Sequence, residues 1–371
     1  MNDILSYEEQ AVFCLRALYE RNGYRPYRMS KFEEYDLYAE NKGFLVSSNI
    51  ITFTDLSGRL MALKPDVTLS IIKNYPNDGV MEKVYYDESV YRASSPDSGY
   101  QEITQMGLEC IGCVDDYSTA EVIRLAVESL ALIRGEYLLN LSHMGFLRGL
   151  FDEMHLSEKQ SSRLLRAICS KNTGELRQTL TDWAVPHRLI QTACSLTALH
   201  GPLSQQLQPL AALSVNGATD AACRELRALD ALLRLWGCAQ NVVLDFSLAS
   251  QTAYYNGVLF QGFVRGVPSA VLSGGRYDGL LEKLAKRAGA IGFAVYLNLL
   301  ERLGGPGREY DADILLCYDD GTDLDALSAE VQALLKDGRR VRVQKGSPGK
   351  LRCRQLMRMK DTVVEIVETN A

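Results

Sequence analysis

Four stretches of this chain set polar side chains and glycines at spacings that suit a small-molecule pocket. In "QMGLE" (105–109) alternate residues of a strand take opposite faces, so Gln105, Gly107 and Glu109 share one face while Met106 and Leu108 point into a core. A glycine between two polar groups leaves room for a ligand to lie on the strand, although an exposed strand face with ordinary polar residues fits the same pattern. "KPDVT" (64–68) supplies a second carboxylate, Asp66, with Thr68 two residues on and on the same face if the segment is extended. A Pro-Asp turn bonded to its own backbone fits these residues equally well. "LASQTAYYNG" (248–257) carries the pair Tyr254 and Tyr255, of which alternation lets only one line a pocket. "LSGGRYDGLLEKL" (272–284) puts two glycines at a strand end just before a helix, which suits N–H donation to an anion and also a structural turn.

The rest of the composition narrows the chemistry. Nine cysteines are scattered singly except Cys110 and Cys113, an odd count that argues for reduced thiols over disulfides. "GLECIGCV" reads as a buried strand, and the four histidines lie apart from other candidate ligands, so no metal and no cofactor is expected. A formal charge of −6 weighs against a nucleic-acid partner. The start "MNDILSYEEQ" has no signal-peptide pattern, and no run approaches the roughly 18 apolar residues of a membrane span, so the expected location is the cytoplasm.

Positioning these residues takes a sheet closed by helices. Ser6 and Glu9 have capping-box spacing, Val12, Leu15, Leu18 and Tyr19 follow at helical intervals, and Gly23 marks a stop. From about 25 to 115 short strands follow, "GFLVSSNIITFTD", "GRLMALKPDVT", "EKVYYDESVYRA" and "EITQMGLECIG", with links that favour antiparallel pairing; Ser118 and Glu121 then open another helix. Residues 145–238 are Leu-rich with helical period and read as a helical insertion. Strands resume at "NVVLDFSLAS", "YYNGVLFQGFV" and "PSAVLSGG", "RYDGLLEKLAKR" reads as a helix, and "AIGFAVYLNLLERL" runs from strand into helix. The expected organisation is an α+β core over 1–303 interrupted by 145–238, then a small α/β domain over 308–371 with "DADILLCYD", "LDALSAEVQALLKDG", "RRVRVQ" and "DTVVEIVE" as strand, helix, strand, strand. The basic stretch "KGSPGKLRCRQLMRMK" reads as a solvated segment.

Five motifs in order, "LKPDVTLSI", "VYRASSPDSGYQEITQMGLECIG", "AYYNGVLF", "GGRYDGLLEKL" and "AIGFAVYLNLLERL", with a helical insertion before the last three, resemble the core of histidyl-tRNA synthetase. They are still more similar to the non-catalytic branch of that family, the regulatory subunits of ATP phosphoribosyltransferase. The resemblance covers about residues 5–303 and implies a class II synthetase-like antiparallel sheet flanked by helices. It also implies a histidine-binding set: Asp66, Thr68 and Gln105 at the α-ammonium, Glu109 and one of Tyr254 and Tyr255 at the imidazole. An ammonium needs a carboxylate and an imidazole needs an acceptor and a donor, so the residue types suit that ligand.

The departures from the synthetase pattern point away from catalysis. The synthetase has Arg-Gly before its tyrosine pair where this chain has Ser250 and Gln251, and Glu-Arg after its Gly-Phe-Ala strand where this chain has Asn298 and Leu299. Glu301 and Arg302 follow almost one α-helical turn later and are expected to face elsewhere. Arg92 matches the arginine that contacts the α-phosphate and is a candidate anion site outside histidine recognition; the loop after it, "ASSPDSGYQE", is acidic. Adenylate formation needs fixed cations around the phosphates. The resemblance therefore implies a subunit that is no enzyme, binds histidine as an effector, self-associates as a dimer and assembles with a short-form ATP phosphoribosyltransferase catalytic subunit. An active synthetase, a stand-alone amino-acid sensor and an RNA-binding paralogue are the alternatives.

Overall fold

The computed structural model describes residues 5–41, 50–93, 99–250, 255–303 and 310–369. The chain divides into two compact units, 1–303 and 304–371. In the first, the strands are β1 (Arg25–Pro26), β2 (Phe32–Glu34), β3 (Thr52–Thr54), β4 (Leu60–Leu63), β5 (Glu82–Ala93), β6 (Tyr100–Gly112), β7 (Tyr137–His143), β8 (His200–Pro202), β9 (Val242–Asp245), β10 (Val258–Val264), β11 (Leu272–Arg276) and β12 (Gly289–Tyr296). Its helices are α1 (Tyr7–Arg21), α2 (Tyr35–Ala39), α3 (Thr68–Asn74), α4 (Asp116–Ile133), α5 (Met144–Glu153), α6 (Glu158–Cys169), α7 (Thr173–Asp182), α8 (His187–Ala198), α9 (Leu203–Ala212), α10 (Gly217–Leu235) and α11 (Asp278–Lys283).

Nine strands form one sheet in the order β1-β5-β6-β12-β11-β10-β7-β9-β8. Pairing is antiparallel except for β1 with β5 and β7 with β9. The face under α1 and α4 is apolar: Met106, Leu108, Phe293 and Val295 are buried there, and Tyr19 of α1 meets Phe293 edge-on at 6.0 Å. Both helices start at capping boxes. Ser6 caps α1 with Glu9 as expected, but α4 is capped by Asp115, and Ser118 serves as the reciprocal partner three residues in. The helix starts earlier than Ser118 because Asp115 offers the stronger acceptor at the free N–H groups.

Helices α5–α10 occupy the stretch read as a helical insertion, and its strand β8 returns to pair with β9 at the sheet edge. Two of the longer strands were not anticipated, besides the short β1, β2 and β8. Tyr137–His143 lies between β10 and β9, and Cys353–Lys360 lies inside the second unit's sheet, where a basic solvated segment was expected. In the latter the charged residues mask an alternation that buries Cys353, Met357 and Met359. The second unit consists of β13 (Ala312–Tyr318), α12 (Leu324–Lys336), β14 (Val341–Lys345), β15 (Cys353–Lys360) and β16 (Val363–Thr369), with sheet order β14-β13-β15-β16. Among the described residues no helix is long and apolar enough to cross a membrane.

Candidate functional site

The face of the large sheet opposite α1 and α4 carries one row of polar groups across four neighbouring strands. The register sets Tyr86 of β5 opposite Gly107 of β6 and Glu88 opposite Gln105. On the other side of β6, Gly292, Ala294 and Tyr296 of β12 stand opposite Glu109, Gly107 and Gln105, and Ser273 of β11 stands opposite Ala294. Asp66, Thr68, Tyr86, Arg92, Gln105, Glu109, Tyr255, Ser273, Tyr277 and Tyr296 all line one polar cavity of about 60 Å³. Every sequence-predicted site residue within the described regions is thus brought together; Tyr254 lies outside the described residues.

Glu109 is the centre of the cavity and is only 2% exposed. Its Oε1 accepts from the Thr68 hydroxyl at 2.7 Å, and its Oε2 accepts from the Tyr277 hydroxyl. Burial pushes its carboxyl from the usual 4.5 up to about 8, against the two hydroxyl donors that favour the charge and with the nearby Asp66 adding to the rise. Asp66 is likewise raised by burial, and the Leu69 N–H, donating to its Oδ1 at 2.9 Å, and the Arg92 charge oppose that rise. Tyr86 is pushed well above its usual range, first by burial and then by Glu109.

The local structure differs from the extended reading of "KPDVT". The strand ends at Leu63, Asp66 bonds its own backbone ahead, and Thr68 opens α3. A free N–H at the helix start is a better partner for a short carboxylate than water, so the Pro-Asp turn wins. The turn is pinned by Lys64, which is fully buried, ion-pairs with Glu88 and accepts from the Tyr91 N–H through its carbonyl.

Three glycines serve the packing of side chains. A Cβ at Gly107 would lie 2.4 Å from the Tyr86 hydroxyl and from the Phe293 carbonyl, so the space over this residue belongs to Tyr86 and not to a ligand. A Cβ at Gly292 would sit 1.7 Å from Glu109 Oε2; only glycine lets that carboxyl lie across the next strand. Gly275 lies under the Tyr255 ring, 2.7 Å from the place of its missing Cβ, so "SGG" is used for close packing instead of an anion cradle. Tyr255 itself is buried, and its carbonyl accepts from Arg148 at 3.0 Å.

Tyr86, Ser273, Tyr277 and Tyr296 were missed by the sequence reading. Tyr277 lies within the quoted "GGRYDG", and the other three reach the site only through strand register. At the end of β12 the chain forms a 3-10 helix, Leu297–Leu303, where an α-helix was expected. With three residues per turn, Glu301 falls on the same side as Asn298, displaced about 6 Å along the axis, rather than facing elsewhere. Asn298, Glu301 and Arg302 are exposed and do not line the cavity. Among the described residues no group of three or more metal-ligating side chains is assembled.

Comparison with known proteins agrees with this architecture. The family model for histidyl-tRNA synthetase matches residues 5–300. The chain is 30% identical to the ATP phosphoribosyltransferase regulatory subunit of Geobacillus kaustophilus over 292 residues, covering 77% of this chain and 74% of the relative. It is 29% identical to the histidine–tRNA ligase of Methanococcus vannielii over 293 residues, covering 76% and 68%. The crystal structure of an ATP phosphoribosyltransferase regulatory subunit/histidyl-tRNA synthetase from Bacillus halodurans superposes with a TM-score of 0.78 at 21% identity, covering 95% of this chain and 93% of that one, so the fold is of the class II synthetase type.

Proposed function

The chain belongs to the histidyl-tRNA synthetase family and, within it, to the ATP phosphoribosyltransferase regulatory subunits, and from that premise we propose that it holds histidine without activating it. As the regulatory subunit it supports a short catalytic chain in the first step of histidine biosynthesis, in the cytoplasm, and makes that complex respond to the end product. The carrying observation is the convergence of Asp66, Thr68, Gln105 and Glu109 on one buried cavity. Two carboxylates there match an ammonium and an imidazole, and the tyrosine hydroxyls supply the remaining donors.

Activation of an amino acid builds negative charge on a pentacoordinate phosphorus and requires several fixed cations. Arg92 is the one cation lining the cavity among the described residues. Positions 250, 251, 298 and 299 carry Ser, Gln, Asn and Leu. This supports a site that recognises and does not adenylate. The test is a pair of assays on purified protein: calorimetry should show histidine binding, and ATP with histidine should give no histidine-dependent pyrophosphate exchange above background. Robust exchange, with contaminating synthetase excluded, would establish an active ligase in place of a regulator.

A further inference from the structure

Tyr255 forms part of the cavity wall, and its ring lies over Gly275. The backbone that carries it, residues 255–257, precedes β10 and is held from two sides. On the side of β11 and α11, the Asn256 N–H donates to the Arg276 carbonyl at 3.0 Å, and the Asn256 side chain accepts from the Asp278 N–H at 3.2 Å. On the side of the helical insertion, α5 acts on the carbonyls. The Met144 N–H donates to the Gly257 carbonyl at 2.8 Å, and Arg148 Nη2 donates to the Tyr255 carbonyl at 3.0 Å. Arg148 is otherwise exposed, and among the described residues no carboxylate pairs with it. Its long side chain gives up rotamer freedom to reach that one carbonyl.

The helix from which Arg148 reaches is itself anchored. A Cβ at Gly149, the next residue, would lie 3.0 Å from Ala218 at the start of α10, and the Gly149 carbonyl accepts from Asn216 at 2.8 Å. His143, just before α5, meets Glu225 of α10 at 3.0 Å. A chain of contacts thus runs from α10 through α5 to the backbone of a cavity residue. Recognition of a small ligand requires its partners to stand within about 0.5 Å of their places, so the support of Tyr255 matters as much as its identity. We propose that Arg148 is a positioning residue: from the helical insertion it fixes Tyr255 at the cavity wall, and the insertion thereby sets how tightly the cavity holds its amino-acid ligand. This rests on the histidine reading above and adds the element that governs affinity. Arg148 does not line the cavity, so its effect passes through the Tyr255 backbone.

The experiment compares Arg148→Met, which keeps the stem and removes the donors, with Arg148→Lys, which keeps a charged donor. Histidine affinity is read by calorimetry, stability by urea unfolding, and the local backbone by amide hydrogen exchange. Arg148→Met should weaken histidine by about threefold to tenfold, the size of one hydrogen bond, and Arg148→Lys should recover most of that loss. The urea midpoint should stay unchanged in both, since the side chain is exposed. Exchange in Arg148→Met should quicken at the Asn256 amide while α5 and α10 keep their protection. Histidine affinity within about twofold of the unmodified protein in Arg148→Met would overturn the proposal. So would an affinity loss that comes with a lower urea midpoint and lost protection throughout α5, which would make the role structural. If Asp66→Asn weakens histidine while Arg148→Met does not, only the role of Arg148 falls. If histidine does not bind the unmodified protein at all, the histidine reading falls and the proposal with it.

Discussion

Replacing Glu109 by Gln should make the protein more stable above neutral pH while impairing its ligand site. The carboxyl is raised from 4.5 to about 8 by burial. Between those values the folded state holds a proton that the unfolded chain has released. Stability therefore falls as pH rises through this window: no penalty is present below about 4.5, and the full penalty is reached above about 8. At about 1.4 kcal/mol per unit the penalty reaches about 3–5 kcal/mol. The glutamine side chain has the same shape, can accept from one hydroxyl and donate to the other, and stays neutral throughout. Urea unfolding of both proteins at pH 5, 7 and 9 measures the difference directly, because every other titrating group is shared and cancels. The stability of the unmodified protein should drop relative to Glu109→Gln by about 3–5 kcal/mol from the lowest to the highest pH. A difference that stays constant within about 0.5 kcal/mol would show that Glu109 titrates normally and that the cavity is wetter than its 2% exposure implies. Histidine affinity at pH 9, where the carboxyl is ionised, should move the other way, weakening in the variant by about 1.5–3 kcal/mol. A residue that costs stability and contributes affinity is retained for the ligand.

Asp66→Asn should weaken histidine binding by about 1.5–3 kcal/mol through the ammonium and, in the reconstituted complex with the catalytic chain, raise the histidine concentration needed for inhibition; unchanged inhibition after both carboxylate changes would place the sensing site elsewhere. Gly107→Ala drives a methyl into the Tyr86 hydroxyl and the Phe293 carbonyl at 2.4 Å, so its thermal midpoint should fall by the equivalent of about 1–3 kcal/mol, and an unaltered midpoint would mean that β5 and β12 can separate freely. Light scattering at micromolar concentration should report a dimer, as a two-fold assembly of this core would give; a strict monomer, alone and with the catalytic chain, would remove self-association from the proposal.

The half of the site that was legible in the sequence is the half built from local rules. Strand alternation separates Gln105 and Glu109 from Met106 and Leu108 without any knowledge of neighbours, and the structure keeps that separation. Tyr86, Ser273 and Tyr296 depend on which strand lies beside which. β6 pairs with β12, more than half the length of the first unit away, and that register is set by packing rather than by any spacing within a motif. The glycines were visible, but their purpose was not. A missing Cβ reads in sequence as room for a ligand, whereas at Gly107 and Gly292 the room is taken by Tyr86 and by the carboxyl of Glu109 itself. "KPDVT" went the other way: the turn was available as an alternative, and the free N–H of Leu69 decided for it. β15 escaped notice because Arg354, Arg358 and Lys360 continue the basic run that precedes it, while Cys353, Met357 and Met359 are its buried positions.

On the proposed reading, the same architecture accounts for recognition without activation on one fold. The groups proposed to hold the ligand come from the start of α3, from β6 and from the junction of β11 and α11, and they are locked to one another by Thr68–Glu109–Tyr277. The positions where the synthetase pattern carries its cations lie elsewhere: Ser250 closes a 3-10 turn after β9, and Leu299 sits on the 3-10 turn after β12, half-buried against the core. An apolar side chain at the half-buried position of Leu299 packs against the core and leaves no buried polar group unpaired. Removing Thr68 or Tyr277 would instead strip a donor from a buried carboxyl. On the proposed reading, the fold tolerates loss of the phosphate-side cations more readily than loss of the Thr68–Glu109–Tyr277 network, which leaves a pocket built around Glu109 with Arg92 as the cation among the described lining residues.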